Sequence, residues 1–319
     1  MKLIEQSVEQ IIQAPGIEGA YEIIEKAARL CYASEPNETT REQFVDRLKK
    51  NKHLAMFEHA TIYLYFSLNP YHVDDNNFIH KYDKDEYSKV VCCGTDDNNM
   101  SEDGNFYNLI GKPSLRNVEY CITTNLRSVI EHGWKGDLQY ICKPTKHHIK
   151  RHTFLINTSI GISREIMRHR KYFSYAQQST RYCNYSKTNK MDEMTFVRPK
   201  WCELPIGYYN FASSENNYII DNELYNTSEL ERIYTRNNIS FMEKLLNTEK
   251  EYNLFVNNGL KPQQAREILP LCLNAPMIVT ADENSWKHFM DLRLHGTTGS
   301  PHPDMKILAK KINEYLKLQ

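Results

Sequence analysis

The chain of 319 residues has no net charge, because forty acidic side chains balance forty lysines and arginines. No global field steers it to nucleic acid or to an acidic membrane, so any affinity for anions must be local. It has no C-x-x-C pair and no zinc-ribbon spacing. The eight cysteines, at 31, 92, 93, 121, 142, 183, 202 and 272, are scattered and read as reduced thiols of an intracellular enzyme. The opening MKLIEQSVEQIIQ lacks an apolar signal core, and no apolar run reaches membrane-spanning length. The expected setting is therefore soluble and cytoplasmic. G-x-G-x-x-G and G-x-x-x-x-G-K-[ST] are both missing, which excludes a Rossmann crossover or a P-loop as the phosphate site. No G-x-S-x-G turn surrounds Ser174 or Ser179, so neither reads as a nucleophile. No internal repeat is evident, and the length accommodates one large domain or two ordinary ones.

Against these absences stands one dense stretch, TSIGISREIMRHRKYFSYAQQSTRYCNYSK from Thr158 to Lys187. Arg164, Arg168, Arg170, Lys171, Arg181 and Lys187 face a single acid, Glu165, and Tyr172, Tyr175, Tyr182 and Tyr185 are interleaved with them. Guanidinium forks beside flat aromatic faces suit a ligand that is both planar and phosphorylated, such as a nucleotide or dinucleotide. Arg266 and Arg293 flank the last apolar strand and extend the candidate anion set.

Periodicity places the rest. Ile17 to Tyr32 carries a helical apolar stripe, and TTREQFVDRLKK opens with Thr39 and Glu42 at capping-box spacing. Thr61 to Phe66 alternates as a half-buried strand. Before it, His53, Glu58 and His59 have three readings: a metal site, a histidine contacting a ligand, and ordinary packing; a third strong ligand at metal spacing is missing. Residues 70–112 are polar and acidic, with DDNNMSEDGN at 96–105, and read as an exposed excursion. A helix through Leu126, Val129 and Ile130 ends at Gly133, with Arg127 on its exterior. His152 to Gly161 reads as a strand, and Ser163 as the cap of a short helix that shares Arg164, Glu165 and Arg168 on one face. A helix near Glu229 to Thr248, a proline-led helix at Pro262, a strand over CLNAPMIVTAD, a helix with Trp286 and Phe289, and an amphipathic tail complete the chain.

The triplet Arg168, His169, Arg170 is followed by eight residues and then Ser179, Thr180, Arg181. Around it, in order, stand ARLCY at 28–32, FEHAT at 57–61, TTNLRSVIE at 123–131, STRYCNYSK at 179–187, AREILPL at 265–271 and FMDLR at 289–293. This ordered set resembles the flavin-dependent thymidylate synthases, whose signature is R-H-R, seven residues, then S-x-R. The chain carries one extra residue. Counting from Gly161, Ser163 and Glu165 favours 168–170 as the triplet; counting back from Ser179 gives His169, Arg170 and Lys171 instead, so the strain falls on Lys171 to Phe173.

The resemblance implies an α+β fold, a mixed sheet with surrounding helices in a single domain over residues 1–319, with an insertion at about 70–112. It implies conversion of dUMP to dTMP, with methylenetetrahydrofolate as methylene donor, FAD as carrier, NADPH as reductant, and no cysteine nucleophile. By position, Arg293 matches the arginine that activates the uracil. Glu165, Arg168, Gln177, Ser179, Arg181 and Arg266 match residues holding dUMP. His53, Arg168, His169, Arg170, Gln177, Tyr182 and His288 match residues at the flavin and folate face. Gln177 stands where glutamate is also found, His288 where asparagine is frequent, and Asp282 to Asn284 depart from one family version. The family also implies a homotetramer with sites shared between subunits, and no metal, nucleic-acid or membrane partner. Two other readings of the same residues remain: an RNA-binding module that stacks bases on the Arg/Tyr stretch, and a family member impaired by the extra residue.

Overall fold

A computed structural model describes residues 1–36, 39–68, 73–94, 118–186, 193–214 and 216–317. Strands β1 (Lys2–Ile4) and β2 (Ser7–Ile11) lead into α1 (Gly16–Tyr32), where Ala20, Ile23, Ile24, Ala27 and Ala28 form the buried stripe. Helix α2 (Arg41–Lys50) starts one residue later than its text suggests. Thr40, not Thr39, accepts from the Gln43 amide, and the Gln43 side chain returns to the Thr40 amide. A tight turn over Leu54–His59 precedes β3 (Thr61–Leu68), which is the expected strand.

The segment after β3 differs from an exposed excursion in its first part. Helix α3 (Val73–Asp83) and strand β4 (Lys89–Gly94) belong to the body, since Ile79 and Tyr82 are wholly buried and β4 pairs with β5 (Val118–Asn125). A few apolar residues at helical spacing suffice to dock an otherwise polar segment. The decamer 96–105 lies outside the described residues, as does Lys187. Strand β5 runs straight into α4 (Leu126–Glu131), capped by Asn125, and Gly133 at φ 73 lies just past its end.

Strand β6 (Arg151–Asn157) is followed by α5 (Ile160–Ile166). The cap is Ser159, whose hydroxyl accepts from Ile162 N at 3.2 Å, not Ser163, which is fully buried inside the helix. Consequently α5 stops before Arg168, which does not share its face with Arg164. Strands β7 (Ser174–Gln177), β8 (Thr195–Val197), β9 (Gly207–Phe211), β10 (Asn217–Ile220) and β11 (Glu223–Asn226) come next. The single helix expected over 229–248 is two, α6 (Thr227–Ile233) and α7 (Arg236–Asn257), because Thr235 starts a new cap. The short α8 (Pro262–Ala265) has its proline in the first turn. Then come β12 (Met277–Asp282), α9 (Glu283–Met290) and α10 (Pro303–Lys317).

The α+β class holds, with the strands shared among three sheets: β11-β10-β9-β1-β8, β2-β6-β12-β7 and β3-β5-β4. The first is mixed, since β1 runs parallel to β8 and antiparallel to β9. Strand β12 is buried along its whole length. On one face Ile278 packs with Ala27 of α1, and on the other Val279 packs with Phe154, Trp286 and Leu308. Burial on both faces agrees with the lack of apolar/polar alternation over Met277, Ile278 and Val279.

Beneath the C-terminal end of α5 lies an aromatic cluster. Trp286 meets Phe154 edge-on at 5.1 Å and Phe173 at 5.0 Å, and its indole donates to the His152 carbonyl at 3.2 Å. Phe154 is fully buried here. Phe154→Ala is expected to cost about 3–5 kcal/mol through lost burial and an unfilled cavity; urea titration of variant and wild type measures it.

Candidate functional site

The chain turns sharply between α5 and β7, and that turn builds one wall of a cleft of about 510 Å³. Its cations are Lys89, Arg168, Arg170, Lys171 and Arg293, against one lining acid, Asp282. That acid is already engaged, because its carboxylate caps α9 by accepting from Ser285 N at 2.7 Å. The extra residue noted between the two signature halves falls in this turn, where Tyr172 adopts a left-handed φ of 63. Beyond it β7 regains register with β12, pairing Ser174 with Thr280 and Gln177 with Met277. The residue directed inward by the turn is His169, 8% exposed, while Arg168 and Arg170 remain exposed.

Arg293 is presented by a π-helical turn over Asp291–His295. Gly296 closes that turn at φ 71, and a Cβ there would lie 2.9 Å from the Gly299 carbonyl oxygen. The Arg293 guanidinium donates from Nε to His169 Nε2 at 3.0 Å, from Nη1 to Glu165 Oε2 at 3.4 Å and from Nη2 to the Glu165 carbonyl at 3.2 Å. A guanidinium cannot accept, so His169 must offer a lone pair at Nε2 and carry its proton on Nδ1. The electrostatics agree. Burial, then Arg293, then His288 hold the imidazole pKa down to about 4. Its ring lies 4.8 Å from that of Phe289 and 6.3 Å from that of His288.

A second group gathers around the start of the S-T-R motif. Ser179 N donates to the Cys31 carbonyl at 3.0 Å, Arg266 Nη1 donates to Thr180 Oγ1 at 3.4 Å, and Arg181 Nε donates to Gln263 at 3.3 Å. Tyr182 is exposed, lies 5.5 Å from the ring of Tyr32, and carries the Arg181 guanidinium over its face at 5.1 Å. Gln177 connects the two groups, donating to the buried Ser163 hydroxyl on α5 at 2.8 Å.

Of the residues singled out from sequence, the cleft thus brings together Arg168, His169, Arg170, His288 and Arg293, the last held by Glu165, and leaves Ser179, Arg181, Tyr182 and Arg266 in the second group. His53 stands apart from both, exposed at the start of the turn before β3. Its neighbours do not converge on it. Glu58 pairs with Arg127, and His59 is wholly buried with Nδ1 at 2.9 Å from Thr280 Oγ1. The cleft residues that sequence reading missed are Lys89 and the left-handed Tyr172. Nothing in SKVVCC marks Lys89 as more than a cation ahead of an apolar run, whereas the extra residue did mark the turn.

The family model for thymidylate synthase complementing protein matches residues 145–318, more than half of the chain and inclusive of every cleft residue except Lys89. The chain belongs to this family. Among curated relatives, a probable flavin-dependent thymidylate synthase of Paramecium bursaria Chlorella virus 1 is 26% identical over 160 residues, 50% of this chain and 64% of the relative. The flavin-dependent thymidylate synthase of Corynebacterium efficiens is 26% identical over 204 residues, 64% of this chain and 67% of the relative. The chain therefore spans less than two thirds of the viral relative's length. A solved UMP/dUMP methylase, PolB from Streptomyces cacaoi with 5-Br UMP, aligns over 100% of this chain and 92% of its own at 15% identity and a TM-score of 0.42, a likeness too distant to carry a functional assignment. No helix among the described residues is long and apolar enough to cross a membrane.

The low pKa of His169 has a consequence for stability. Its folded value, about 4, lies below the ordinary 6.5, so between those pH values the unfolded chain binds the extra proton. Stability from this group is complete above the upper value and is lost as pH falls toward the lower one. His169→Gln is therefore expected to show a smaller drop in urea midpoint between pH 7 and pH 4 than wild type, the remaining drop coming from other buried histidines such as His59. An unchanged drop would place the titration elsewhere.

Proposed function

We propose that the chain is a flavin-dependent thymidylate synthase converting dUMP to dTMP, with methylenetetrahydrofolate as methylene donor, FAD as carrier and NADPH as reductant, acting as a cytoplasmic homotetramer. The observation that carries this reading is Arg293, turned into a cationic cleft and held through all three of its nitrogens by His169 and Glu165. Family membership and the printed activities of the two curated relatives support it.

Three of the five guanidinium N–H groups are engaged, which leaves one on each terminal nitrogen for a ligand. Such a pair can donate to a uracil carbonyl oxygen and to N3 once that nitrogen has lost its proton, and beside it negative charge developing on the ring is stabilised. Neutral His169 keeps the guanidinium in place without adding a competing charge.

The cleft fits a flavin dinucleotide on its own chemistry. Arg168 and Arg170 suit a diphosphate, and the rings of His169, Tyr172 and Phe173 with Leu292 offer flat and apolar contact. When bound, the flavin supplies the hydride and one-carbon transfer that side chains do not provide. In this reading His288 contacts the flavin, and His53 and Tyr182 serve the folate and flavin face. Ser179, Arg181 and Arg266, with Gln177, hold the nucleotide and its phosphate. The separation of this second group from Arg293 supports a site completed by a second copy of the chain. A cysteine nucleophile is not needed. Burial pushes the Cys31 thiol up to about 11 and raises Cys183, the two cysteines whose backbones bond Ser179.

Arg293→Ala is expected to lower turnover by about 100-fold or more while leaving the circular dichroism spectrum and flavin absorbance in place. Equal loss of folded protein and activity would make its role structural. Purified wild type should be yellow and should methylate dUMP with folate and NADPH supplied. A colourless protein that binds RNA tightly and not FAD would sink the proposal.

A further inference from the structure

Lys89 lies outside residues 145–318, the part of the chain that the family model matches, yet it lines the same cleft as Arg168, Arg170 and Arg293. It is the first residue of β4, the edge strand of the sheet β3-β5-β4, and reaches the wall formed by a different sheet. Its backbone is pinned. The neighbouring Ser88 is buried and its hydroxyl bonds Asp85 Oδ2 at 2.5 Å and Thr124 Oγ1 at 2.8 Å, while Lys89 itself pairs with Thr123 of β5.

The Lys89 ammonium sits 3.7 Å from the centre of the Tyr172 ring, and Lys171 Nζ lies 5.1 Å from the same ring. The left-handed tyrosine of the turn that contains the extra residue is thus also the one whose ring Lys89 contacts. Among the described residues no carboxylate pairs with Lys89 within 4 Å, and the one acid of the cleft, Asp282, caps a helix. Lys89, and after it Lys171, lower the Tyr172 pKa. Packing a fifth cation beside four others is unfavourable by itself, and an anion spanning the cleft turns that repulsion into attraction.

We infer that Lys89 is a specificity-determining residue for the diphosphate of the dinucleotide held in this cleft, a cation that the chain supplies from outside the residues that the family model matches. The inference rests on the flavin reading above. It is specific about the anion: the diphosphate, rather than the isoalloxazine ring or the phosphate of dUMP, receives the ammonium.

Binding of FAD, riboflavin and dUMP to the full chain, followed by calorimetry and flavin fluorescence, tests this without measuring turnover. Lys89→Met is expected to weaken FAD by about tenfold, the loss of one charge-assisted contact. Riboflavin, which has no phosphate, and dUMP should bind as to wild type. The salt dependence of FAD binding should become shallower, and Lys89→Arg should restore affinity. Lys89→Gln repeats the comparison if the methionine variant does not fold. Equal weakening of FAD and riboflavin, unchanged FAD affinity, or weakening of dUMP alone would overturn the assignment to the diphosphate. Failure of the wild type to bind FAD would overturn the flavin reading and this inference together, whereas tight FAD binding unaffected by Lys89 would overturn only the latter.

Discussion

A guanidinium donates hydrogen bonds and never accepts them, and that asymmetry governs the chemistry around Arg293. Because Arg293 Nε points at His169 Nε2, the imidazole must be neutral and must hold its proton on the other nitrogen. Burial by Phe289 and the turn after α5, together with Arg293 itself, extends that neutrality to lower pH. The aromatic cluster of Phe154, Phe173, Trp286 and Phe289 therefore acts beyond its packing energy. It surrounds His169 with apolar rings in which the imidazole remains an acceptor, and so fixes the direction of the Arg293 guanidinium.

The same chain segment serves two groups with different tasks. Its first half, at the cleft, meets Arg293 and Lys89; its second half, at the S-T-R motif, meets Arg266, Gln263 and Tyr32. Gln177, at the end of β7, ties the halves to the buried Ser163 of α5. The turn that contains the extra residue has Tyr172 in a left-handed conformation, and after it β7 enters the sheet in register with β12.

Much of this was legible in one dimension. The apolar stripe of α1, the alternation of β3, the doubly buried β12 and the proline start of α8 each follow from local period or local backbone chemistry. Cap positions were off where two hydroxyls compete. Thr39 and Thr40 are adjacent, and Ser159 and Ser163 both precede helical text, so only the hydrogen bonds tell which one turns the chain. The segment after β3 was misjudged because polar composition masks a handful of docking residues, Ile79 and Tyr82 among them.

By itself, the sequence determined most of the element types, the concentration of cations and tyrosines in one stretch, and the place of the extra residue between the two signature halves. Those follow from side-chain chemistry and from spacing along the chain. Only the tertiary structure decided which partners the cations meet: Arg293 meets His169 and Glu165, Arg266 meets Thr180, and Lys89 comes from a remote sheet edge to Tyr172. The physical reason is that contacts between residues far apart in the sequence, 86 positions for Arg266 and Thr180 and 124 for Arg293 and His169, depend on sheet order and register, and neither is written in the local period that a sequence displays.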